Sequence, residues 1–134
     1  LRDGTVLQLH PTSARLSASD GLNGRSVAVE FVGNFPSSRG GWWRPEEFGR
    51  HHPTAAQLEA GRRLLRMLRR VGVTHVFAHR QSSHKRSNDP GPEVWAAVGQ
   101  WAIDSLGMSD GGEGFAVGSG SPIPAIWRSA GVQA

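Results

Sequence analysis

The chain contains no cysteine and one lysine, Lys85. Without cysteine there is neither a disulfide framework nor a thiolate zinc cluster, so any bound metal must be held by His, Asp or Glu. The missing cysteine is compatible with any compartment. No apolar run is long enough to cross a membrane, and no leader peptide opens the chain. A Gly-rich phosphate loop followed by Lys-Ser or Lys-Thr is also missing. Gly118-Ser119-Gly120-Ser121-Pro122 lies in a Gly-rich tail, not between a strand and a helix, so it is no nucleophile elbow. The chain starts at Leu1, not at methionine, and so reads as a processed product or a fragment.

What is present suits one domain with one core: 134 residues, 37% apolar and 19% charged. Eighteen glycines and eight prolines imply many turns and long connections. The net charge of +4 is carried almost wholly by arginine, and a basic surface favours polyanions such as nucleic acid, anionic lipid or an acidic wall polymer.

Asp3-Gly4 is a hairpin signal opening a strand over residues 2–9. Ser26–Val32 reads as a strand buried on both faces, with Glu30 among small apolar neighbours. A carboxylate there is either paired or functional. Residues 34–53 form a long connection with Trp42-Trp43, a pair that can stack on a sugar or base but more often packs a loop down. Thr54-Ala55-Ala56-Gln57 is a capping box. It starts a helix with an apolar stripe of Leu58, Gly61, Leu64, Leu65, Leu68 and Val71, ended by Gly72. Its arginines, Arg62, Arg63, Arg66, Arg69 and Arg70, have the spacing of a solvated face more than of a nucleic-acid site. Val73–Ala78 reads as a strand. Pro92 begins a second helix over roughly 92–106, ended by Gly107. Pro122–Trp127 reads as an extended strap docked on the domain. The order strand, strand, helix, strand, helix predicts an α/β fold: a mixed sheet with helices packed on it. The predicted division is a domain over 1–107 and a Gly/Pro-rich strap over 108–134.

His79 follows the predicted strand, and Asp89 follows ten residues later, ahead of the stiff Pro90-Gly91-Pro92. An imidazole and a carboxylate on stiff backbone suit a catalytic zinc site, although a strand-end histidine and a capping aspartate have the same look. His75 would stand roughly 13 Å from His79 on a strand, at about 3.3 Å per residue, too far to share an ion. His51 and His52 read as a solvated pair, and His10 and His84 have no assigned role.

Taken in order, these pieces resemble the zinc-dependent N-acetylmuramoyl-L-alanine amidases, whose fold is shared with peptidoglycan recognition proteins and phage lysozyme-like amidases. The resemblance runs from about Arg2 to Trp95. It rests on Arg-Asp-Gly-Thr-Val-Leu-Gln-Leu, on Asn23 followed by Ser-Val-Ala-Val-Glu-Phe-Val-Gly, on Thr54-x-x-Gln57, on His79-Arg80 and on Asp89-Pro90-Gly91-Pro92. The resemblance implies Zn2+ bound by His79 and Asp89, with Glu30 near the attacking water. It implies hydrolysis of the amide between the lactyl group of N-acetylmuramic acid and L-alanine in peptidoglycan or a muropeptide. Asn23, Trp42 and Trp43 are the candidate substrate contacts. A cell-envelope, secreted or phage-associated location follows, with no nucleic-acid partner.

Two departures from the family pattern stand out. The family's first ligand is a histidine on an opening strand, and no such residue precedes Asp3-Gly4 here; the expectation is a strand encoded upstream. Members often carry a lysine two residues before the aspartate, where this chain has Ser87, so Lys85 or Arg86 is the candidate for that positive charge. Ser17 falls where members often have a substrate-contacting histidine. The alternative reading is a non-catalytic peptidoglycan-binding module of the same fold.

Overall fold

The first helix, Ala55–Arg70, forms where its capping signal predicts. The Thr54 hydroxyl accepts from the Gln57 N–H at 3.1 Å, and the Gln57 side-chain oxygen accepts from the Thr54 N–H at 3.1 Å, so two otherwise free donors are satisfied. Arg69 and Arg70 occupy the last turn, where cations meet the negative end of the helix dipole. Gly72 then takes a left-handed conformation, φ +100°, that turns the chain away. The structure, a computed structural model, describes residues 1–35 and 51–129.

A second helical run begins with Pro92 in its first turn and passes without a break through Pro92–Val94, Trp95–Gln100 and Trp101–Leu106. Its middle segment has the wider π spacing. The Trp95 ring lies against Gly99, where a Cβ would come within 2.6 Å of it, so a residue without a side chain permits the helix to pass the indole. Gly107, at φ +62°, closes the run. The two helices pack through Leu65 and Leu68 against Val98 and Ala102, and Met108, just past the second helix, joins the same core. On the outer side, the Arg62 and Arg66 guanidinium groups stack over the Trp101 ring at 5.2 and 4.8 Å.

A second core joins Ala78, Trp95, Ile123 and Trp127. The C-terminal segment therefore docks, but as a short helix, Ala125–Ser129, rather than as the extended strap expected. Arg128 fixes it through a 2.6 Å ion pair with the buried Asp110 carboxylate. None of the helices described is long and apolar enough to span a membrane.

The α/β expectation fails. Among the described residues there is no sheet, and the only pairing is an isolated parallel bridge between His75 and Ser109. Strand propensity is realised only when a neighbouring edge accepts the backbone hydrogen bonds. Residues 26–32 find no such edge. Val27, Val29 and Val32 remain 42–48% exposed, and Glu30 is exposed as well. The predicted two-sided burial around that carboxylate is thus wrong. The opening segment likewise leaves Val6, Leu7 and Leu9 exposed. Where a sheet would close between residues 27–31 and 73–79, the structure has a cleft of about 1240 Å³.

Candidate metal-binding site

The residues after the His75–Ser109 bridge enter a turn of 3-10 helix, His79–Gln81, that presents the His79 imidazole. Gln81 builds this turn. Fully buried, it accepts from the Ala78 N–H at 3.0 Å and donates to the Asp110 carbonyl at 3.0 Å. The His79 carbonyl accepts from the Ser82 N–H and hydroxyl, both at 3.0 Å. The Ser19 hydroxyl donates in turn to that of Ser82 at 2.8 Å. A second turn, His84–Arg86, folds the loop back, and the Arg80 N–H donates to the Asp89 carbonyl at 3.0 Å, closing it.

This closure brings His79 Nδ1 to 3.4 Å from Asp89 Oδ2, both side chains partly buried. The separation is long for a hydrogen bond. Two ligands of one tetrahedral zinc ion, each about 2.0–2.2 Å from it, stand roughly 3.4 Å apart. The pair therefore fits as two donors to a single ion. Among the described residues no third His, Asp or Glu joins them. Glu30 lines the same cleft as His79 and Asp89.

Arg86 lines that cleft and also a smaller hollow of about 220 Å³, which adjoins His79 and is bounded by Ser17, Ser19, Asp20 and Asn23. Lys85 is exposed and borders neither. Asn23 shapes the loop at the hollow, because its side-chain oxygen accepts from the Ala18 and Ser19 N–H groups at 2.9 and 2.6 Å. Trp42 and Trp43 lie outside the described residues. His75 stacks on Phe77, apart from the pair, and His51 Nδ1 accepts from the Asn34 N–H at 3.0 Å. His52 pairs with Glu93 at 3.1 Å and His84 with Ser119 at 3.0 Å.

Three supporting residues, Gln81, Ser82 and Arg80, carry no catalytic pattern in the sequence. Arg80 donates to the Ser87 carbonyl and, at 2.8 Å, to the Pro122 carbonyl, while its guanidinium lies 5.0 Å from the Trp127 ring. It ties the loop between His79 and Asp89 to the C-terminal helix. Burial pulls its pKa below the ordinary arginine value, yet an arginine so placed remains a cation. The only signal for Gln81 was its place three residues after a strand end, the spacing at which a glutamine side chain reaches back to a free N–H.

An imidazole and a carboxylate thus stand 3.4 Å apart on an open cleft that has an acidic side chain, Glu30, on its wall. Residues 1–92 match the N-acetylmuramoyl-L-alanine amidase family. The match spans more than half of the chain, and the chain belongs to that family, whose substrate is peptidoglycan. No curated protein and no solved structure matches it.

Proposed function

We propose that this chain is the amidase domain of a zinc-dependent peptidoglycan hydrolase, cutting the bond between N-acetylmuramic acid and L-alanine. The observation that carries this reading is the 3.4 Å approach of His79 Nδ1 and Asp89 Oδ2 inside the region matched by the family. His79 and Asp89 would hold the ion, which when bound supplies a Lewis acid that makes water a nucleophile near neutral pH. Glu30, on the cleft wall, takes a proton from the attacking water and passes it to the departing amine of L-alanine. Arg86, at the junction of both hollows, offers positive charge to the oxyanion that develops on the carbonyl; Lys85 is the less well placed candidate. Asn23 shapes the substrate-facing loop. The working location is the cell envelope, outside the cell or a phage particle.

The test is zinc titration by calorimetry together with mass spectrometry of a muramoyl peptide incubated with the zinc-loaded chain. Release of a peptide with a free L-alanine amine is the expected outcome. The second reading, a peptidoglycan-binding module, draws on one observation: the described residues supply two metal donors rather than three. Binding of the muramoyl peptide with no cleavage at saturating zinc would establish it in place of the first.

A further inference from the structure

The first helix, Ala55–Arg70, carries five arginines against one glutamate, a net +4 that equals the charge of the entire chain. At about 100° per residue, Arg62, Arg63, Arg66, Arg69 and Arg70 fall within roughly 120° of the helix circumference, over about 12 Å of its length. None of them lines the cleft or the smaller hollow. A merely solvated face, the reading that spacing alone favours, leaves such side chains loose. Here three are braced along the seam with the second helical run. Arg62 donates through Nε to the Ala97 carbonyl at 2.7 Å, and its guanidinium shares the Trp101 ring with that of Arg66. Arg69 donates through Nε, at 3.3 Å, to the carbonyl of Leu106, the last residue of that run. A bond through Nε leaves both terminal nitrogens of the guanidinium fork for another partner. Arg63 and Arg70 are exposed and have no hydrogen bond or ion pair among the described residues. Glu59, the single acid on the helix, sits 3.1 Å from Arg66. A free arginine loses rotamer freedom when it binds; the three braced ones have already lost it on folding.

Guanidinium forks suit the paired free oxygens of a phosphate. No pocket encloses a small ion here, and a single exposed contact is weak; a polymer that touches several forks at once gains through multivalency. The shape selects among polymers. The second helical run lies alongside, and two packed helices, about 20 Å across, are wider than the roughly 12 Å major groove of a DNA duplex. Insertion into a lipid surface needs a free apolar helix face, whereas Leu65 and Leu68 are buried against Val98 and Ala102. A flexible single chain with a phosphate in each repeat can follow the row. The family acts on peptidoglycan and so meets the acidic polymers of a wall. We propose that the arginine row of the first helix is a docking surface for a linear phosphodiester polymer of the bacterial wall, which holds the domain there independently of the cleft. The choice of a wall polymer rests on the family. The binding itself needs neither zinc nor cleavage, so its failure leaves the hydrolytic reading standing.

The probe is soluble, fluorescently labelled poly(glycerol phosphate), stripped of lipid, into which the full chain is titrated while anisotropy is read. Affinity should fall steeply from about 50 mM to about 200 mM salt, with a log–log slope of about −3, at roughly 0.7 per phosphate neutralised on a single chain. Arg63→Gln/Arg70→Gln, at two exposed positions with no bond to lose, should weaken binding about tenfold and flatten the slope by about 1. Arg15→Gln/Arg25→Gln removes the same charge from exposed loop positions outside the row and should change affinity by less than about threefold. Absence of binding at low salt overturns the proposal. So does equal weakening by the two double variants, which would reduce the effect to net charge. Tighter binding to duplex DNA or to phosphatidylglycerol vesicles than to the polymer overturns the choice of partner, and equal binding of polyglutamate overturns the choice of phosphate.

Discussion

His79 and Asp89 owe their geometry to neighbours that never face the cleft. The imidazole rides on a turn whose free N–H and carbonyl groups are satisfied by Gln81 and Ser82, and the carboxylate is positioned by the main-chain bond from Arg80 to Asp89. Two consequences follow at the residue scale. His79→Ala or Asp89→Ala should lower zinc affinity by more than the roughly 10–100-fold typical of losing a mere supporting partner. Calorimetric titration of both variants checks this, and an unchanged affinity would remove the pair as ligands. Gln81→Ala leaves the Ala78 N–H and the Asp110 carbonyl without their buried partner. Its cost should be about 1–3 kcal/mol, read as a lower urea midpoint at constant slope.

At the scale of elements, what the sequence reveals divides by the range of the forces. The first helix was readable because its start is written within four residues, Thr54 to Gln57, and its buried face recurs at helical spacing. The second was readable from Pro92 to Gly107 for the same reason, although its π-spaced middle was not, since that depends on how the Trp95 ring meets Gly99. Strands are different. Val27, Val29 and Phe31 alternate as a strand should, but alternation states only which faces are apolar, not whether an edge is available to pair with. The same gap misled the placement of Glu30, whose expected burial needed a sheet on both sides. The His79–Asp89 pair was readable because ten residues with a rigid Pro90-Gly91-Pro92 exit form a local loop. Gln81 and Ser82 were legible only in part: their bonds to Ala78 and His79 are local, but those to Asp110 and Ser19 join stretches far apart in the chain. The capping box provides the element-scale test. Thr54→Ala should cost about 1 kcal/mol, the usual loss for an N-cap hydroxyl, with some further loosening of the N-terminal turn that Thr54 holds through the Arg2 carbonyl. Thermal unfolding followed by circular dichroism measures it. A melting temperature equal to that of the parent would mean that the helix does not depend on its cap.

For the whole molecule, the question is whether the segment after Gly107 is an appendage or part of the folded unit. Ile123 and Trp127 share a core with Ala78 and Trp95, and Ala78 immediately precedes the candidate metal ligand. Arg80 reinforces the link, bonding to the Pro122 carbonyl and stacking on Trp127 while also holding the Ser87 carbonyl in the loop between His79 and Asp89. The His79–Asp89 pair is thus braced from behind by the C-terminal helix, though the family match ends at residue 92. Trp127→Ala removes a buried indole from a small core, a change that typically costs about 3–5 kcal/mol. Because Arg80 loses its stacking partner in the same step, zinc affinity should fall even under conditions where the variant stays folded. Urea unfolding and zinc titration of the same preparation separate the two effects. Loss of stability with zinc binding intact would make the segment a structural cover only. A variant with parental stability would show that the helix over 125–129 is a tail and that the ligand loop supports itself.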